Sequence, residues 1–94
     1  MGLLFEWDPK KAKRNLGLHG VSFDEASTAL QDLLSTTIDD PLHSTGEERY
    51  VLTGQSHQGR VLVVVHSERG DRIRIISARL ATNKERRQYE EITK

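Results

Sequence analysis

The stretch RIRIISARLATNKERRQY, residues 72–89, carries five arginines, one glutamate and one tyrosine. Guanidinium groups grip phosphate oxygens in a planar fork, and they help most where phosphate charge rises in a transition state. Arg79 closes the β-like run RIRIISAR, so it stands at a strand's end. There Glu85 and Tyr89 of a following helix, and Arg49 or His66 of a neighbouring strand, could meet it. One arginine in such a place satisfies a helix end or a carboxylate, whereas several converging would make an anion site. Nucleophile motifs, phosphate-binding loops and dinucleotide fingerprints are absent. The four histidines, His19, His43, His57 and His66, fall in separate loops or element ends without metal-ligand spacing, which argues against a metal hydrolase. Acid–base chemistry supported by positive charge remains. Cleavage of RNA by its own 2′-hydroxyl needs only those means: a base for the 2′ proton, cations for the phosphorane and an acid for the leaving 5′-oxygen. Composition alone leaves this as one option among several.

The elements that must position these groups are marked by caps and turns. A short apolar run, LLFEW, hands over at Asp8-Pro9 to a helix from Pro9 to about Leu18, whose thin apolar stripe is Ala12 and Leu16 and whose end lies among Gly17 and Gly20. Ser22 with Glu25 forms a capping box for a second helix, on which Phe23, Ala26, Leu30, Leu33 and Leu34 share a face. From Thr36 the segments TTID, RYVLTG, RVLVVVHS and RIRIISAR read as strands. They are separated by turns at Asp40-Pro41, Gln55 to Gly59 and ERGD, where Arg-Gly-Asp is only a hairpin turn. The unbroken apolar run Val61 to Val65 predicts a central strand covered on both faces. Strict alternation along RIRIISAR puts Ile73, Ile75, Ser77 and Arg79 on one side and Arg72, Arg74, Ile76 and Ala78 on the other. Thr82 and Glu85 start a last helix, thinly apolar at Tyr89 and Ile92. The expected fold is α+β in the order β-α-α-β-β-β-β-α, a small, mainly antiparallel sheet with the two early helices on one face.

At 94 residues the chain has room for one core, read as a single domain over 1–94. It has no cysteine, which excludes a disulfide framework and a thiolate zinc site, and the default compartment is the cytoplasm. No run approaches the ~20 apolar residues of a membrane span, and the first residues lack the order of a secretion signal. The formal net charge is zero, but residues 1–59 carry a net −4 and residues 60–94 a net +4. Such asymmetry lets one surface attract a polyanion and another a basic partner.

FEWDPKKAKRNLGLHGVSF resembles the opening of the BrnT toxins, with its aromatic-x-Trp-Asp start, its Asn and its His-Gly-Val-x-Phe. GEERYVLTG and GRVLVVVHSERGDRIRIISARLATNKERRQYEE resemble the remainder, so the likeness spans roughly residues 5–91. The resemblance implies a RelE-like ribonuclease toxin of a type II toxin–antitoxin system, without a cofactor. Its inhibitor would be a DNA-binding, BrnA-type antitoxin. Carried over position by position, it implies catalytic roles for His19, Glu48, Arg49, Arg79 and Tyr89: Arg49 and Arg79 on the scissile phosphate, His19 or Glu48 in proton transfer. Glu85 matches as well, but its capping-box place already gives it a structural job. Leu18 stands where the family commonly has Lys, which leaves RNA binding to Lys11 or Arg14, with Arg74 and Arg86. The alternative is a catalytically weak binding module kept as antitoxin partner and co-repressor, a reading that Leu18 favours.

Overall fold

The structure, a computed structural model, describes residues 4–40 and 48–93. Leu3, Pro41 and His43, which entered the reading of the first strand, the Asp40-Pro41 turn and the histidines, lie outside the described residues. The element order is the expected one: β1 (Leu4–Glu6), α1 (Pro9–His19), α2 (Phe23–Ala29), β2 (Thr36–Asp39), β3 (Arg49–Gln55), β4 (Val61–Arg69), β5 (Arg72–Leu80) and α3 (Asn83–Thr93). Local chemistry sets the boundaries. The Asp8 carboxylate accepts the Lys10 N–H at 2.9 Å with Pro9 in the first turn, and Gly20 ends α1 in the left-handed conformation at φ 67°. Ser22 Oγ accepts the Glu25 N–H at 3.0 Å. At α3 the capping box is reciprocal, with the Thr82 N–H donating to Glu85 at 2.8 Å and the Glu85 N–H to Thr82 Oγ1 at 3.2 Å.

The strands form one sheet in the order β1-β5-β4-β3-β2. Pairs β2–β3, β3–β4 and β4–β5 are antiparallel, but β1 runs parallel to β5, with Leu4 beside Arg72 and Glu6 beside Arg74. The sheet is therefore mixed, which corrects the expectation of a mainly antiparallel one. β1 leads into two helices instead of a tight turn, so no hairpin fixes its direction. α1 and α2 cover one face, as expected. Val21, Phe23, Ala26, Ala29 and Leu30 bury themselves there against Leu52, Leu62, Val64, Ile75 and Ala78, with Trp7 edge-on to Phe23 at 6.1 Å. Gly54 permits the close approach of α2, because a Cβ at this position would lie 2.7 Å from the Ala29 carbonyl oxygen.

Three local expectations fail for identifiable reasons. α2 stops at Ala29 rather than running on to Leu34, and Leu33 is 98% exposed. The Asp32 carboxylate takes the Leu34 N–H at 2.9 Å and the Gln55 N–H at 2.8 Å, offering the backbone a turn instead of a further helical residue. On α1, Leu16 is exposed and the buried residue is Asn15. Finally, the β4–β5 register shifts between Val65 and His66: Val65 faces Ser77, whereas His66 faces Ile75. The extra residue, Ile76, breaks the alternation. Ile75 and Ala78 both enter the core, and Arg74 turns to the same face as Ser77 and Arg79.

Candidate active site

Directly paired residues of neighbouring strands point to the same side, so the register fixes what the face opposite α1 and α2 displays. One row across it reads Arg49, Ser67, Arg74, Glu6. Asp40 extends this row, since its N–H donates to the Arg49 carbonyl at 2.9 Å just beyond β2. The next row is apolar up to its end: Ile38, Val51, Val65, Ser77. The third runs Thr36, Thr53, Val63, Arg79, and α3 lies over it. The second covering of β4 that the sequence predicts is thus supplied by α3, completely at Val63 and only partly at Val65.

Between the charged row and α3 lies a cleft of about 250 Å³ with a floor of Val51, Val63 and Val65. Arg79 and His19 line it, and so do Ser77 and Asp40. His19 reaches it because the C-terminal end of α1 is moored to the β5 edge. Asn15, four residues earlier, donates through Nδ2 to the Ala78 carbonyl at 2.8 Å and to the Val21 carbonyl at 3.0 Å, and its Oδ1 accepts the Ala78 N–H at 3.1 Å. A second cavity of about 240 Å³ shares Val51 and Val63 with the first and continues under Glu85, Gln88 and Tyr89 of α3.

Arg79 does not stand alone. Its two terminal nitrogens hold the two Glu85 carboxylate oxygens at 2.8 and 3.0 Å, and Nη1 also reaches the Leu80 carbonyl at 3.2 Å. These bonds, assisted by the Thr82 N–H, pull Glu85 down to about 2, so it is ionised at neutral pH. The fork that grips this carboxylate has the geometry required for two phosphate oxygens. Arg74 donates to Glu6 at 3.1 Å, and Arg69 and Arg72 approach the same carboxylate at 3.7 and 3.9 Å.

The remaining candidates are more scattered. Arg49 is half-buried on the cleft's face, one row away from the Val51 floor. Glu48 is exposed and accepts the Tyr50 hydroxyl at 2.7 Å; it lines a separate depression at the sheet's end with Asp39, Asp40, Arg49 and Tyr50. Tyr89 is 6% exposed and gives its hydroxyl to Asp32; burial first, then this bond, pushes it up to about 12. It anchors α3 to the turn after α2. Lys11, Arg14 and Arg86 are exposed outside the cleft lining. His66 lies on the helix face, stacked on Tyr50 at 5.6 Å, and burial lowers its basicity. Sequence reasoning missed Asn15 as the mooring and Asp40 as a cleft residue. Asn15 is the amide in an otherwise basic and apolar helix, a signal of sorts, whereas Asp40 reads as half of an Asp-Pro turn.

The family model described as the ribonuclease toxin, BrnT, of type II toxin–antitoxin systems matches residues 7–85. In structure the chain is similar to the 1.1 Å crystal structure of the Brucella abortus ribonuclease toxin BrnT. The TM-score is 0.63 at 21% identity, covering 87% of this chain and 100% of that one, a likeness of fold. Among curated proteins none matches the chain.

Proposed function

The chain belongs to the family of BrnT ribonuclease toxins of type II toxin–antitoxin systems, and we propose that it is a metal-independent endoribonuclease whose cleavage of RNA arrests growth. The observation that carries this reading is that His19 and Arg79, from α1 and the end of β5, line one cleft. Arg79 binds the scissile phosphate, with Arg49 and Arg74 holding phosphates along the charged row and Lys11, Arg14 and Arg86 steering RNA from outside the cleft. The 2′-oxygen attacks the adjacent phosphorus as its proton leaves, the bond to the 5′-oxygen breaks, and His19 takes part in the proton transfers. Tyr89 serves by holding α3 over the cleft. The RelE-like architecture and a cytoplasmic site of action belong to the same reading; no helix among the described residues is long and apolar enough to cross a membrane.

Among the described residues no three His, Asp or Glu side chains gather to hold a metal. Cleavage is therefore expected to proceed in excess chelator and to leave a 2′,3′-cyclic or 3′-phosphate with a 5′-hydroxyl, read by end-labelling the products. An absolute requirement for added magnesium or manganese contradicts the mechanism. A second reading, the catalytically weak antitoxin partner and co-repressor, is favoured by one contact: Glu85 already occupies both terminal nitrogens of Arg79. Induced expression separates the two, since RNA loss with growth arrest supports the enzyme and harmless expression the module.

A type II system implies an antitoxin. We take it to be a DNA-binding protein of the BrnA type that covers the basic surface of residues 60–94 and so excludes RNA. Reversing the charges of Arg86 and Arg87, both exposed on α3, should weaken antitoxin binding mainly through a slower on-rate that falls with salt. Affinity within about twofold of the parent, ~0.4 kcal/mol, contradicts a shared surface.

A further inference from the structure

We propose that Asp40 is the catalytic carboxylate opposite His19, the base that takes the 2′-hydroxyl proton. The inference rests on the ribonuclease reading and completes it, because one imidazole cannot both accept the 2′ proton and deliver one to the 5′-oxygen in the same step. Glu48 has the right chemistry, but it is drawn to the Tyr50 hydroxyl at 2.7 Å and is not among the residues lining the cleft. Asp40 is. It is half-buried, it follows the last residue of β2 on the side shared with Ile38, Val51 and Arg49, and it lines the cleft together with His19 and Arg79.

The placement gives each group a distinct task. α1 brings His19 to the cleft at its β5 edge, beside Arg79; Asp40 enters from the β2 edge, with the apolar floor of Val51, Val63 and Val65 between the two sides. A base and an acid on opposite sides of a bound phosphate suit an in-line displacement, in which the attacking and leaving oxygens lie on opposite sides of phosphorus. The Asp40 carboxylate gains the 2′ proton, the bond from the 2′-oxygen to phosphorus forms and the bond to the 5′-oxygen breaks. The His19 imidazolium gives its proton to that oxygen, so the protons balance and the products are a 2′,3′-cyclic phosphate and a 5′-hydroxyl. Among the described residues, the charged and titratable groups that share a depression with Asp40 are Asp39, Glu48, Arg49 and Tyr50 at the sheet's end and His19 and Arg79 across the cleft.

The test is the pH dependence of single-turnover cleavage by the full chain and by Asp40→Asn, with affinity for a non-cleavable 2′-deoxy oligonucleotide measured alongside. Loss of a general base costs about 10²-fold or more. The expected result is a fall of that size in the cleavage rate, loss of the acid-side limb of the parent's profile, oligonucleotide affinity unchanged or tighter, and partial recovery with Asp40→Glu. If Asp40 merely orients Arg49, affinity falls while the acid limb stays, and the proposal is overturned. A parent that cleaves and an Asp40→Asn variant that cleaves equally well overturn Asp40 alone. A folded parent that cleaves no RNA under any condition overturns the ribonuclease reading, and this role with it.

Discussion

Arg79→Ala is expected to lower RNA cleavage by roughly 10²–10³-fold, about 2.7–4 kcal/mol of transition-state stabilisation, in a protein that stays folded. The size follows from the contact that would be lost, a two-point hydrogen bond from a permanent cation to phosphate oxygens whose charge increases during the reaction. The fold should survive because the guanidinium lies at the edge of the molecule, its side chain 43% exposed, and its partner Glu85 keeps the bonds to Thr82 that start α3. An ion pair this exposed contributes at most about 1 kcal/mol to stability. Arg79→Lys should recover little, since an ammonium group cannot reproduce the fork. The measurement is cleavage of a labelled RNA by purified variants together with their melting temperatures. Undiminished cleavage by folded Arg79→Ala would end the assignment. The Glu85 carboxylate, held at about 2, is charged at every practical assay pH. RNA phosphate must therefore compete with this carboxylate for the Arg79 guanidinium.

How much of this was legible in the chain depends on whether the cause is local. The helix starts were readable because Asp8-Pro9, Ser22 with Glu25 and Thr82 with Glu85 carry their own hydrogen-bond logic, and the central strand because nothing but burial explains Val61 to Val65. What was not legible depends on partners distant in sequence. The parallel pairing of β1 joins Leu4 to Arg72. The early end of α2 depends on Asp32 being claimed by Gln55 and Tyr89. The extra residue in β5 shows only when Val65 and His66 are matched to Ser77 and Ile75, and it decides which face Arg74 occupies. The site divides in the same way. His19 and Arg79 sit at element ends, where chemistry gathers on any scaffold, and the fold brings them to one cleft. Glu48 came from the resemblance, as the residue before Arg49 in the matched segment, but the residue beside Arg49 in the sheet row is Asp40, which approaches it from just beyond β2.

Asn15→Ala is expected to destabilise the domain by about 2–4 kcal/mol, because it strips three buried backbone groups of their partner at once. Among the described residues β1 pairs with Arg72 to Arg74, so β5 beyond them has no neighbouring strand on that side. At Ala78 the Asn15 amide supplies both the donor and the acceptor that a neighbouring strand would have given, and it also bonds the Val21 carbonyl. An alanine leaves the Ala78 N–H and two carbonyls at a position where Asn15 is 6% exposed. In a domain of this size the loss corresponds to a fall in Tm of roughly 10–25 °C. Asn15→Asp should be no better than alanine. Its carboxylate can still accept the Ala78 N–H, but it meets two carbonyl oxygens with negative charge and no proton to donate. The same amide links the helix that carries His19 to the strand that carries Arg79, so cleavage by Asn15→Ala should be impaired even at temperatures where the variant remains folded. Denaturant unfolding of the three proteins measures the first effect, and cleavage at low temperature the second. A change in stability below about 0.5 kcal/mol would mean that water takes over the three groups at little cost, and that the mooring of α1 on β5 rests on the apolar contacts alone.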